Sequence, residues 1–210
     1  MTILLRLAAP LQSWGVGSKF DRRGTERVPT KSGVIGLCAA AIGISRENKE
    51  KIHELSSLKF GVRVDRPGVL LRDYHTAKSG KTAYVTNRYY LADAKFTAGL
   101  EGVEALLHDI DAALRRPAFP LFLGRRSCPP EGKVALGIVK ESLLDALRTD
   151  AGWEYISYDG DGVYLVRDVP VSFSQIRREY GFRCVEQISA EKQIGEIEDE
   201  IDWFKESEMP

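Results

Sequence analysis

Residues 60–98 read FGVRVDRPGVLLRDYHTAKSGKTAYVTNRYYLADAKFTA, and three textures follow one another along them. Phe60, Val62 and Val64 alternate with small or polar residues, the period of a half-buried strand. Pro67-Gly68 marks a turn, after which Val69 to Leu71 is expected to continue the sheet. From about 73 to 88 the chain is polar, basic and aromatic with a bend at Ser79-Gly80, which predicts an extended excursion from the sheet. Tyr89 to Ala98 then returns as a strand.

Working outward, residues 2–7 form an apolar run with little alternation, predicting a buried first strand. Ala8 to Pro29 carries Pro10, Gly15, Gly17, Gly24 and Pro29 and is expected to be a long loop, and loops of that length inside compact domains tend to be functional. Thr30 is a helix N-cap for a segment running to about Gly43, and a second helix is expected over about 48–57. Val103, Leu106, Leu107, Ile110 and Leu114 repeat at helical spacing within 101–116. Pro117 and Pro120 stop that helix, and Phe119 to Leu123 is expected as a strand ending at Gly124. The order strand, helix, strand, excursion, strand, helix, strand is that of a split βαβ unit. It predicts an α+β, ferredoxin-like, RRM-type domain over residues 1–140. Beyond it, Val134 to Val139 reads as a strand, Ser142 to Leu147 as a short helix, and Trp153 to Val166 as a hairpin turning at Asp159-Gly160-Asp161-Gly162. Residues 141–210 are thus expected to be a small, β-rich C-terminal appendage.

The 210 residues carry 43% hydrophobic and 29% charged side chains, enough for a core without disulfides or metal. Cys38, Cys128 and Cys184 are far apart and odd in number, and His53, His75 and His108 have no ligand spacing beside them; no metal and no cofactor is expected. Ile3 to Leu11 is too short to span a bilayer and lacks the features of a secretory signal. The expectation is a cytoplasmic protein with no membrane partner. Net charge is zero, but its distribution is uneven. Lys19, Arg22, Arg23, Arg27 and Lys31 outnumber Asp21 and Glu26. Arg72, Lys78, Lys81 and Arg88 face Asp73 alone, and Arg115, Arg116, Arg125, Arg126 and Lys133 face Glu131. The acidic tail from Glu196 to Glu208 reverses the sign. Its Ile194, Ile197, Ile201 and Phe204 fall near helical spacing, as in a short docking helix. Such a chain can bind a polyanion locally, unless these are scattered solvated charges.

Three constellations carry chemistry. Gln12-Ser13-Trp14-Gly15, Arg22-Arg23 and Pro29-Thr30-Lys31-Ser32-Gly33 surround a helix start, where free N–H groups and the dipole favour an anion. Capping by Thr30 is the simpler reading of the same residues, and the spacing is not that of a Walker A loop. In the excursion, Arg72, Tyr74, His75, Lys78, Lys81, Tyr84, Arg88 and Tyr89 interleave cations with rings, as single-stranded RNA requires: cations neutralise phosphates and rings stack on bases at ~1–3 kcal/mol each. One of Tyr89 and Tyr90 is expected to bury its ring. Gly124-Arg125-Arg126 followed by Pro129-Pro130 sets two guanidinium forks at a fixed turn, suited to bidentate phosphate recognition.

Leu7 to Gly15, Pro29 to Ala40, Leu71 to Thr76, Arg88 to Phe96 and Leu123 to Pro129 together resemble the Cas-five family of the RAMP superfamily, in its type I-E CRISPR branch. The likeness covers residue 2 to about 140. It implies an RRM-like RAMP fold with an extended thumb at about 73–88. It also implies binding of the 5′ handle of the CRISPR RNA in the Cascade surveillance complex. The partners it implies are the backbone CasC filament, which such subunits cap, and the large CasA subunit; target DNA is met only through the complex. Carried over by position, the handle contacts are Trp14, Lys31, Ser32, Arg72, His75, Arg88, Arg125 and Arg126; the basic and aromatic stretches add Arg22, Arg23, Lys78, Lys81 and Tyr89 as expected RNA-binding residues.

The resemblance also implies a non-catalytic member, because RNA processing in that branch belongs to CasE. The rival reading is a metal-independent endoribonuclease that processes CRISPR repeat RNA. Such cleavage needs a base, an acid and a cation, roles that Tyr74, His75 and Lys78 could fill. No second histidine lies near His75, so the expectation is no catalytic residue.

Overall fold

The computed structural model describes residues 1–15, 22–79, 82–148, 153, 155–174 and 178–189. Ten strands and four helices alternate along these residues: β1 (Thr2–Ala8), β2 (Leu11–Gln12), β3 (Arg22–Arg23), α1 (Lys31–Ile42), α2 (Lys49–Ser56), β4 (Lys59–Arg66), β5 (Val69–Ser79), β6 (Thr82–Ala92), β7 (Lys95–Glu101), α3 (Glu104–Arg115), β8 (Ala135–Val139), α4 (Leu143–Leu147), β9 (Tyr155–Ser172) and β10 (Glu179–Ser189). The architecture is α+β with mostly antiparallel sheets. Among the described residues no helix is long and apolar enough to cross a membrane.

The main sheet has the order β10-β9-β4-β7-β1-β8, and every neighbouring pair in it is antiparallel. Its interior strand β1 is inaccessible at Ile3, Leu5 and Leu7, and Leu4 on the opposite face packs against the Leu143–Leu147 cluster, so its sequence lacks the alternation of a half-exposed strand. Helices α1, α2 and α3 cover one face. Val34, Ile35, Phe60, Phe96, Leu100, Leu107 and Ile110 join β1 in one core there. Helix α1 begins where Thr30 Oγ1 accepts the Gly33 N–H and ends at Gly43, whose φ of 88° lets its N–H reach Ala39 O. On the other face sits α4, five residues long. Gly61 in β4 and Gly99 in β7 make room for it: a Cβ on either would come within 2.7 Å of Leu147 Cδ1 or Leu143 Cδ1, respectively.

Several elements differ from their sequence reading. Val69 to Leu71 does not continue the main sheet; it opens β5, which pairs with β6 in a second sheet. Tyr89 to Ala98 is two strands, because the chain breaks at Asp93, whose φ is +56° and whose N–H donates to Pro10 O at 3.0 Å. Phe119 to Leu123 is not a strand. Pro120 removes a ladder donor from that stretch, and the place beside β1 is taken instead by Ala135–Val139. The hairpin expected at Asp159-Gly160-Asp161-Gly162 is a bulge inside β9. Pairing with β10 jumps from Asp159↔Val185 to Leu165↔Cys184, so residues 160–164 loop out and the strand continues. Residues after 140 therefore add two strands, β9 and β10, to the edge of the main sheet. The acidic tail from Glu196 lies outside the described residues, as do Ile194, Ile197, Ile201 and Phe204.

Candidate nucleic-acid interface

The second sheet is built around β6. Its partner β5 runs antiparallel from Val69↔Ala92 to Ser79↔Thr82, making the two-stranded projection that the polar, aromatic stretch 73–88 suggested. At the base of this hairpin β2 pairs with Leu91 and Ala92. β3 lies parallel to β6, with Arg22 opposite Asn87 and Arg23 opposite Arg88. Arg72 Nε donates to Asn87 Oδ1 at 3.1 Å, and Asp73 stands opposite Arg88. Arg72, Tyr74 and Lys78 are exposed, and Arg88 and Tyr89 are half-buried. Tyr90 is buried, so of the two tyrosines one ring is inside, as expected.

The turn at Gly124 joins this sheet from beyond β7 and α3. Gly124 has a φ of +83°, and a Cβ on it would fall 1.6 Å from Ser13 O; only glycine fits there. Ser13 N–H donates to Leu123 O at 3.2 Å, and Ser13 Oγ donates to Tyr89 O at 3.2 Å. Arg125 lies over the Tyr90 ring, 4.7 Å from its centroid, and its Nη2 donates to Arg23 O at 2.6 Å and Gly24 O at 3.2 Å. Arg126 is exposed. The hairpin, the Trp14 segment and the arginine turn thus meet at one place. Arg23, Arg72, Arg88, Arg125 and Arg126 gather there, with Asp73 the acid among them.

Three of the expected RNA-facing residues are interior. Trp14 is 1% exposed; its Nε1 donates to Gln12 Oε1 at 3.1 Å, and its ring lies over Gly33, where a Cβ would come within 2.7 Å. It cannot stack on a base because it is the wedge between the 8–29 segment and α1. Lys31 is buried with its Nζ 3.0 Å from Asp159 Oδ2. Ser32 is buried beside Thr30, its Oγ 3.4 Å from Thr30 Oγ1. The anion at the start of α1 is the protein's own: Lys31 N–H donates to Asp168 Oδ2 at 2.8 Å. Arg125 also departs from its sequence reading as a phosphate fork, because its Nη2 holds main-chain carbonyls. Arg22 and His75 are placed by their backbones alone, opposite Asn87 and Thr86; Lys81 lies outside the described residues.

The sequence reading missed the charge cluster behind α1. Arg183 bridges Asp168, at 2.6 and 3.0 Å, and Asp159, at 2.7 Å, with its guanidinium 5.0 Å from the Phe60 ring centroid. Asp159 Oδ2 also accepts the Phe60 N–H at 3.0 Å. Desolvation opposes the charge on Arg183, but the two carboxylates outweigh it and hold its pKa above the ordinary value. Two carboxylates and two cations, nearly dry, fasten the β9–β10 ribbon to the start of α1 and the edge of β4. Nothing local announces partners 128 residues apart, and Asp159 sits in a string that reads as a turn. Burial, then Asp168, pushes the neighbouring Glu26 above the ordinary 4.5.

RRM domains stack bases on the open face of the main sheet. Here α4 occupies it, with Leu143, Leu147 and Ile156 closing a small second core. The convergent cations lie on the second sheet instead.

Comparison with known proteins identifies the family. The family model described as CRISPR-associated protein (Cas_Cas5) matches residues 2–186. The "CRISPR system Cascade subunit CasD" of Escherichia coli (strain K12) is 36% identical over 161 residues, spanning 67% of this chain and 72% of that protein. A solved structure described as "Crystal structure of Cas protein" has a TM-score of 0.73 and 40% identity, covering 90% of this chain and 94% of the other. A chain of a "CRISPR RNA-guided surveillance complex" has a TM-score of 0.77 and 34% identity, covering 90% of each. The strands, the arginine turn and the β9–β10 ribbon almost all fall within the matched span, and the chain belongs to the Cas_Cas5 family of CRISPR-associated proteins.

Proposed function

We propose that this chain is a non-catalytic CRISPR RNA-binding subunit of a type I-E Cascade complex. In this reading it holds the 5′ handle of the guide RNA in the cytoplasm, caps the CasC filament and contacts CasA; target DNA is met only through the assembly. The relative named as a Cascade subunit and the likeness to a chain of an RNA-guided surveillance complex support it. The observation that carries it is the convergence on β6: β3, β5 and the Gly124 turn bring Arg23, Arg72, Arg88 and Arg126 together beside Tyr89. Arg22, His75 and Lys78 belong to the same reading through their places along β3 and the hairpin, and Lys81 through its place in the basic stretch of the sequence. The order β4-β7-β1-β8 within the main sheet, with helices in both crossovers, supports a ferredoxin-like RAMP domain over 1–140. The β5–β6 hairpin is its thumb and β9–β10 an edge extension.

The test is binding of a short single-stranded RNA of repeat sequence to the full chain over a series of salt concentrations. Each phosphate neutralised contributes about −0.7 to the slope of log affinity against log salt, so a slope of about −2 or steeper is expected. Arg23→Gln and Arg88→Gln should each flatten it. A salt-independent affinity sinks the reading. The same incubation without metal should leave the RNA intact; multiple turnover to a defined product would establish an endoribonuclease instead.

A further inference from the structure

We propose that Arg125 is a positioning residue: its guanidinium latches residues 22–24 against the second sheet and thereby sets Arg23 beside Arg88. The inference rests on the RNA-binding reading for its consequence, but not for its geometry. A two-residue strand cannot stand alone, and among the described residues β3 pairs with β6 at Arg22 and Arg23 alone. The next two carbonyls toward Trp14's partner Glu26, those of Arg23 and Gly24, both accept from Arg125 Nη2, at 2.6 and 3.2 Å. The arm that makes this contact is rigid. Cys128 N–H donates to Arg125 O at 2.9 Å and Leu123 N–H to Cys128 O at 2.7 Å, while the guanidinium rests on the Tyr90 ring, 4.7 Å from its centroid.

Two features separate this role from a phosphate contact. Nη2 is committed to main-chain oxygens, and Nη1 is closed off from solvent with no hydrogen-bond partner among the described residues, so neither end of the fork is offered outward. Neighbouring Arg126 is exposed and has no such constraint. The paired arginines therefore divide the work: Arg126 faces the ligand, and Arg125 arranges the segment that presents Arg23. A lysine keeps the charge but lacks the planar guanidinium, which rests on Tyr90 while its Nη2 reaches both carbonyls.

Arg125→Gln, Arg125→Lys and Arg126→Gln in the full chain distinguish the roles. Hydrogen exchange of a peptide spanning residues 22–28 should quicken about tenfold in both Arg125 variants, the effect of losing about 1.4 kcal/mol of local protection. It should be unchanged in Arg126→Gln. Against single-stranded RNA of repeat sequence, Arg126→Gln should flatten the salt slope by about 0.7, one phosphate's share. Both Arg125 variants should lose affinity together, with Lys no better than Gln. Recovery of wild-type affinity by Arg125→Lys, or unchanged exchange at 22–28, would overturn the latch. Wild-type protein that binds no RNA would remove the functional reading, while the exchange data would still decide whether the latch exists. Arg125→Lys, the milder change, carries the test if Arg125→Gln does not fold.

Discussion

Arg183 shows how one side chain can hold two distant parts of a fold. It is 10% exposed and spans two carboxylates, one of which, Asp168, is 1% exposed. Removing one member of such a cluster leaves buried charge without compensation, which costs about 3–5 kcal/mol. Arg183→Ala should lower the unfolding free energy by that amount in a denaturant titration, and Asp168→Asn should lower it in the same sense. Glu26 gives the opposite sign. Its carboxyl is held above 4.5 by burial and by Asp168, so the folded state favours the protonated form. That stabilisation is complete below the unfolded pKa and is lost as pH rises through the folded one. Glu26→Gln should therefore raise the melting temperature at pH 7, and the gain should vanish in acid.

At the scale of elements, glycines decide which surfaces meet. Gly61 and Gly99 leave the seat into which Leu147 and Leu143 of α4 settle. Gly99→Val should crowd that seat at about 1–3 kcal/mol, raising hydrogen exchange over 143–147 while the β5–β6 hairpin keeps its protection. The same scale separates what sequence patterns revealed from what they did not. Helices α1, α2 and α3 were legible from caps and apolar spacing, because those signals are local. The strand expected at Phe119–Leu123 was not there, because a short apolar run has no period of its own; Ala135–Val139 won the edge beside β1. The turn signal at Asp159–Gly162 was real, but the backbone used it for a bulge.

For the molecule as a whole, burial orders the reactivity of its thiols. Cys184 is exposed, whereas Cys38 and Cys128 are buried. Burial pushes the Cys38 thiol up to about 12 and raises that of Cys128. The thiolate is the reactive form, so a thiol reagent at neutral pH should label Cys184 rapidly. Cys38 should react only at the rate of global unfolding, which mass spectrometry of the labelled peptides would read. Equal labelling of Cys38 and Cys184 in the native protein would contradict the core as described, in which Cys38 lies among Val34, Ile35 and Trp14.

The sequence by itself determined the α+β class, the projecting basic and aromatic hairpin, and the family resemblance, since each is written in local period, turn chemistry or contiguous motif. Only the tertiary structure decided which cations remain available. Trp14, Lys31 and Ser32 carry the right chemistry for RNA, yet the wedge under α1 and the carboxylates of Asp159 and Asp168 take them inward. Arg125 and Arg126 are adjacent and chemically equal in the chain, but one points to carbonyls brought 101 and 102 residues close by folding and the other to solvent. Burial and pairing are properties of what surrounds a side chain, and here those surroundings come from segments far away in the chain.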